Sequence, residues 1–177
     1  MKLTEETVSK NYLYKGKILN LRCDDALLPD GKPCKREIVE HSGGAAVFCV
    51  KDGKVALVKQ FRYAYGEEIY EIPAGKLNAG ENPAEAARRE LEEETGLIAT
   101  TLNHLFTMYP SPGYTNEKIY IYEAEGVSEG KQNPDEDEYL SAEFLPLEQV
   151  REMILNGKIN DAKTIAAVLN YCARMIG

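Results

Sequence analysis

The first forty residues fall into short extended runs, Val8 to Leu13, Ile18 to Leu28 and Cys34 to Glu40, interrupted by Lys15-Gly16 and by Pro29-Asp30-Gly31. Runs of this length separated by glycine and proline predict strands, with Pro-Asp-Gly as the turn between two of them. The result is a small antiparallel sheet, too thin to be stable alone. From His41 the apolar density rises. Ala45 to Val50, the turn Lys51-Asp52-Gly53-Lys54 and the run 55–63 predict a hairpin whose first strand is buried. An extended stretch over 68–77 is broken at Pro73. A helix follows with both ends marked: Asn82 as N-cap, Pro83 at its first position, Glu85 three residues after the cap and Gly96 just past the end. Further strands are predicted at 101–109, 118–124 and 139–146, and helices from Leu147 to about Asn156 and from Asp161 to about Met175. Strands interleaved with a few helices point to an α+β layered fold rather than an alternating βαβ array.

Composition narrows the class. The chain of 177 residues is 44% hydrophobic and 28% charged, an ordinary balance for one full core. There is no apolar run near 18 residues and no apolar leader in MKLTEETVSK, so a soluble, cytoplasmic protein with no membrane partner is expected. Cys23, Cys34, Cys49 and Cys172 are scattered, without a CxxC pair, which argues for reduced thiols and against a zinc site or disulfide scaffold. A net charge of -8 disfavours nucleic acid and anionic membranes alike. It also repels phosphates, so a protein of this charge that acts on them needs bound cations or a few placed arginines.

The acidic residues supply a reason for cations. Glu90, Glu93 and Glu94 share one turn of the predicted helix, where like charges three and four apart repel and the negative end of the helix dipole adds to the cost. A hard divalent cation reverses both penalties. On a helical projection, Ala84, Ala87 and Leu91 form one apolar stripe and the three carboxylates lie roughly 100° around the axis, flanking the buried face along a cleft edge. A solvated glutamate-rich face would be the bland alternative.

The segment Gly75 to Leu97, GKLNAGENPAEAARRELEEETGL, resembles the complete Nudix box, with Gly75, Glu81, Arg89-Glu90-Leu91, Glu93-Glu94 and Gly96-Leu97 in register and no departure at any fixed position. The flanks are similar to the ADP-ribose pyrophosphatase subgroup: VKQFRYAYGEEIYEIPAG before the box and MYPSPGYTNEK after it, with Pro112 lying 15 residues past Leu97. The resemblance implies a Nudix fold, a mixed sheet sandwiched between helices, here with the small antiparallel sheet at the N-terminus. It divides the chain into residues 1–40, a β segment used for dimerisation, and 41–177, the hydrolase domain.

The same resemblance implies roles for particular residues. Glu90 and Glu94 bind metal, with Glu93 assisting or bridging and the main-chain carbonyl of Ala74 as a further ligand; the cation is magnesium, with manganese as an alternative. Arg89 orients the glutamates by ion pairing. A base is expected from the acidic run Asp135-Glu136-Asp137-Glu138, with Glu136 first and Glu138 second; a solvated loop tip competes with that reading. Arg62 contacts the diphosphate, unless it is a surface ion-pair partner. Pro112 and Gly113 mark the substrate class, unless Pro-Ser-Pro-Gly is only a turn. Arg36 and Glu37 contribute to an adenosine pocket formed across a dimer. The implied reaction is Mg²⁺-dependent hydrolysis of ADP-ribose to AMP and ribose 5-phosphate by a homodimer. The alternatives are a pyrophosphatase for a nucleotide sugar, NADH or a dinucleoside polyphosphate, and a non-catalytic nucleotide-binding module, which the intact set of carboxylates disfavours.

Overall fold

Pro-Asp-Gly turns the chain as its residues require: the Leu28 and Gly31 amides donate to the Lys32 and Leu28 carbonyls, both at 2.8 Å, and Gly31 sits at φ 82. The structure, a computed structural model, describes residues 3–134 and 138–176. The turn joins β3 (Leu19–Leu27) to β4 (Pro33–His41), paired antiparallel from Leu19 opposite His41 to Leu27 opposite Pro33. On the other edge of β3 lie β1 (Glu6–Ser9) and β2 (Tyr12–Lys15). The sequence run Val8 to Leu13 therefore spans two strands rather than one. Asn11 separates them, its side-chain amide donating to the Cys23 carbonyl and the Asp25 carboxylate. This polar anchoring competes with ladder pairing at that point.

The chain divides into two units, residues 1–43 with 109–118, and residues 44–108 with 119–177. In the first, 109–118 joins the edge of β4: Thr115 forms a parallel bridge to Val39, and the Val39 amide donates to the Tyr114 carbonyl at 2.8 Å.

The second unit is built on a mixed sheet. Its strands are β5 (Gly44–Lys51), β6 (Lys54–Arg62), β7 (Glu67–Glu71), β8 (Ala74–Lys76), β9 (Leu97–Met108), β10 (Ile119–Glu129) and β11 (Leu140–Pro146). The order is β11-β6-β5-β10-β9, with β7 on β6 and β8 on β5, and the β5–β10 pair is parallel. Strand β5 is an unbroken apolar run because both of its faces are covered. Ala45, Val47 and Cys49 pack with Ala86, Ala87 and Leu91 of α1 (Pro83–Thr95). Ala46 and Phe48 face the opposite way, with Val150 of α2 (Leu147–Leu155) and Val168 of α3 (Ala162–Ile176). The sheet is thus sandwiched between helices, as expected. Among the described residues no helix is long and apolar enough to cross a membrane.

Both ends of α1 follow their residues. The Asn82 side chain accepts from the Ala84 amide at 2.8 Å, and Gly96 closes the helix in the left-handed region, φ 69, with its amide on the Glu92 carbonyl. Strand β9 begins at once at Leu97 rather than near residue 101, because the left-handed glycine redirects the chain within one residue.

Candidate active site

Helix α1 lays its carboxylates against β8. Glu90 and Glu94 are 5% and 2% exposed, among the most buried positions of the helix, whereas the helical projection placed them beside the buried stripe. Two features of the 74–75 stretch accommodate them. A Cβ at Gly75 would be built into the Glu90 carboxylate, so glycine makes the room. The Glu94 carboxylate accepts the Ala74 amide at 2.8 Å.

Burial pushes the Glu90 carboxyl up to about 7, against the pull of the Arg89 guanidinium beside it. It pushes Glu94 up to about 8, against the Ala74 hydrogen bond, and the charges of Glu90, Glu138 and Glu71 drive it the same way. Glu138 acts on Glu90 as well, so its carboxylate belongs to the same electrostatic cluster. Buried acids that repel one another are stabilised by a cation, and carboxylate oxygens suit a hard divalent ion. Among the described residues no three Asp, Glu, His or Cys side chains converge to enclose a metal by themselves. The donors present fit an ion that completes its shell with water, backbone and substrate oxygens, the habit of magnesium.

Arg89 ties the acids together. It donates to Glu81 Oε1 at 3.1 Å and Glu93 Oε2 at 2.8 Å and pairs with Glu90 Oε1 at 2.7 Å. Glu81 also accepts the Asn78 amide at 2.8 Å. Arg89, with Asn78's help, holds the Glu81 carboxyl below its usual range. Glu93 therefore faces Arg89, while Glu94 is turned toward Ala74.

A second buried network is one that the sequence pattern does not announce. Glu71 at the end of β7 is 2% exposed and receives both Arg62 and Lys163. Burial raises its carboxyl, but the two cations outweigh that and leave it lowered. Lys163 also donates to Asp161 at 2.9 Å. Asp161 caps α3 by accepting the Thr164 amide at 2.9 Å, and the Thr164 hydroxyl accepts the Ile72 amide at 2.8 Å. Arg62 is held charged, first by its hydrogen bond to Glu71, and it also feels Glu94. The network thus lies within electrostatic reach of the carboxylate cluster. Its only local sign was an acidic residue placed between Tyr70 and Ile72 of an otherwise apolar strand end.

The remaining expected site residues belong to the first unit or lie outside view. Arg36 is ion-paired with Glu5. Glu37 is exposed and follows it on β4, so the two side chains leave opposite faces of the sheet. Pro112 and Gly113 form an exposed turn in which the Ser111 carbonyl accepts the Tyr114 and Thr115 amides at 3.3 and 3.2 Å. Glu136 lies outside the described residues.

Residues 40–168, which include the carboxylate helix and its arginine, match the NUDIX domain. The chain belongs to the NUDIX family. In this NUDIX protein, residues 5–39 match the nucleoside diphosphate sugar hydrolase N-terminal domain. The chain is 43% identical to the ADP-ribose pyrophosphatase of Bacillus subtilis (strain 168) over 94% of its own length and 91% of that protein's. It is 40% identical to the methanol dehydrogenase activator of Bacillus methanolicus over 93% and 90% of the two chains. A crystal structure of an ADP compounds hydrolase superposes with a TM-score of 0.86 at 20% identity, covering 100% of this chain and 97% of the other. That last similarity establishes the NUDIX fold.

Proposed function

We propose that this NUDIX enzyme hydrolyses the pyrophosphate bond of ADP-ribose, releasing AMP and ribose 5-phosphate. The observation that carries the reading is the buried pair Glu90 and Glu94, raised to about 7 and about 8 and joined electrostatically by Glu138. A protein of net charge -8 needs local positive charge to hold a pyrophosphate at such a site, and a cation between the carboxylates and the phosphates supplies it. The likeness over nearly the whole chain to an ADP-ribose pyrophosphatase supports the choice of substrate.

Glu90 and Glu94, with Glu93 and the Ala74 carbonyl, would hold magnesium, or manganese in its place. When bound, the ion supplies Lewis-acid activation of water and neutralises charge on the phosphoryl oxygens. Arg89 keeps Glu90 and Glu93 in orientation through its ion pairs. Arg62, anchored by Glu71, offers the rest of its guanidinium to the diphosphate. Glu136 or Glu138 accepts a proton from the attacking water, whose oxygen becomes bonded to one phosphorus while the bridging oxygen leaves on the other. Glu136→Gln and Glu138→Gln identify the base: loss of the residue that serves lowers kcat by roughly 10²- to 10⁴-fold.

Purified protein assayed for kcat/KM against ADP-ribose, a nucleotide sugar, NADH and a dinucleoside polyphosphate tests the substrate. ADP-ribose is expected to give the highest value, and preference for another member overturns the assignment. A nucleotide sugar is the second reading, favoured by the match of residues 5–39 to the nucleoside diphosphate sugar hydrolase N-terminal domain.

Residues 1–40 serve this enzyme as a dimerisation element and residues 41–177 as its catalytic domain. The support is the exposure of Val8 on β1, Leu13 and Tyr14 on β2 and Ile18 between β2 and β3, 59–66% each, apolar surface that a second copy would cover. Light scattering at micromolar concentration is expected to give the mass of a homodimer, and a monomer refutes it. The four unpaired cysteines suit the reducing cytoplasm.

A further inference from the structure

The first turn of α3 carries a charge of the wrong sign for its place. Lys163 is the second residue of that helix, and a cation there meets the positive end of the helix dipole. Its side chain is also removed from water, 12% exposed. Two carboxylates offset both penalties, since Lys163 pairs with Glu71 Oε2 and with Asp161 Oδ1, the latter at 2.9 Å. Buried ion sets of this kind are often no more stabilising than apolar side chains of the same volume. Stability alone therefore gives little reason for a lysine at this position.

The geometry supplies another. Glu71 is held from two sides: Lys163 reaches it from α3, and Arg62 reaches it from β6, with Nε on Oε1 and Nη2 on Oε2 at 2.9 Å. Arg62 is the outer cation, its side chain 40% exposed against 12% for Lys163. Together Glu71, Asp161, Arg62 and Lys163 balance two negative charges with two positive ones. Loss of Lys163 leaves that set net negative, and a buried carboxylate with too little compensation gains by turning toward water. The guanidinium bonded to it would turn with it. The adjoining backbone is pinned by the same helix turn, for the Ile72 amide donates to the Thr164 hydroxyl at 2.8 Å, and two residues further on the Ala74 amide donates to Glu94 at 2.8 Å. Three residues of extended chain span at most about 11 Å. The anchor of Arg62 and the anchor of Glu94 are thus the two ends of one short segment fixed to α3.

We propose that Lys163 is a positioning residue for Arg62: by holding Glu71 from the α3 side it keeps the Glu71–Arg62 pair seated and presents the guanidinium to the diphosphate in one fixed pose. This rests on the reading that Arg62 contacts the diphosphate. Lysine suits the task, because a compact ammonium with three donors can bridge Glu71 and Asp161.

Two single variants of the full chain and their double test it, each assayed at a temperature where melting curves show it folded. Lys163→Met is expected to raise KM for ADP-ribose about tenfold, the effect of losing one charged hydrogen bond to substrate, with kcat held within about twofold. Glu71→Gln raises KM to a similar extent. The double variant is no worse than either single, because both act through one guanidinium. It also removes the unbalanced buried charge, so it carries the test, by comparison with Glu71→Gln, should Lys163→Met alone fail to fold. Without metal or nucleotide, water exchange at the Arg62 Nε–H, followed by nitrogen-15 NMR, accelerates about tenfold in Lys163→Met and in the double variant. Wild-type KM and wild-type Arg62 exchange in the variants, KM losses that multiply in the double, or a fall in kcat with KM unchanged overturn the proposal. A wild-type protein that hydrolyses none of the nucleotides tested sinks the functional reading instead, and Arg62 exchange then decides by itself whether Lys163 sets the pose.

Discussion

Replacing Glu94 by glutamine removes a metal ligand and a buried charge in one step, and the two losses pull in opposite directions. In the metal-free protein Glu94 titrates at about 8 against an ordinary 4.5, mainly because it is buried. The folded state then keeps a proton that the unfolded chain gives up, so stability falls as pH rises from about 4.5 through about 8. The distance from 4.5 to about 8 sets a ceiling of about 5 kcal/mol, and water penetration and relaxation bring the expected loss to roughly 2–4 kcal/mol. Glutamine avoids this cost and can still accept the Ala74 amide through its carbonyl oxygen. In EDTA, Glu94→Gln should match wild type near pH 5 and exceed it at pH 9. For a chain of this length about 3 kcal/mol is a gain of roughly 6–12 °C in melting temperature. Scanning calorimetry or fluorescence melting across pH 5 to 9 makes the measurement. Millimolar magnesium should restore the wild type at pH 9 and leave the variant unmoved, while hydrolysis by the variant drops by roughly 10²-fold or more. A melting difference that does not change with pH would refute the burial argument at its root.

The second network makes its own prediction. Lys163→Met leaves Glu71 buried with Arg62 as its remaining cation and should destabilise the fold by about 3 kcal/mol, the usual cost of breaking a buried pair; an unchanged urea midpoint would show that Arg62 suffices. Gly75→Ala places a Cβ in the Glu90 carboxylate and should weaken magnesium binding, read by calorimetric titration, by about tenfold or more. Unaltered affinity would mean that Glu90 is not held where the metal needs it.

The local features were legible because local chemistry produces them. Asn82, Pro83 and Gly96 bound α1 by backbone hydrogen bonds a few residues long, and Asp30-Gly31 turns its own neighbours. The apolar run of β5 announced burial on both faces. Where the structure departs from the local pattern, a distant partner intervenes. Val8 to Leu13 was broken by Asn11 reaching across to β3, and the acids of α1 were drawn into the buried face by the space at Gly75.

The chain alone determined the layered α+β class, the capped helix, the clustered carboxylates and, through the box, the NUDIX family. Only the tertiary structure decided which of those carboxylates lose water, that Glu71 joins Arg62 to Lys163, and that Gln132 reaches Glu94. Helix and turn signals arise between residues three or four apart, so periodicity carries them. The Ile72–Thr164 and Glu94–Gln132 contacts join residues 92 and 38 positions apart. Which polar group meets which across such distances is set by how the layers pack, and no local pattern encodes it.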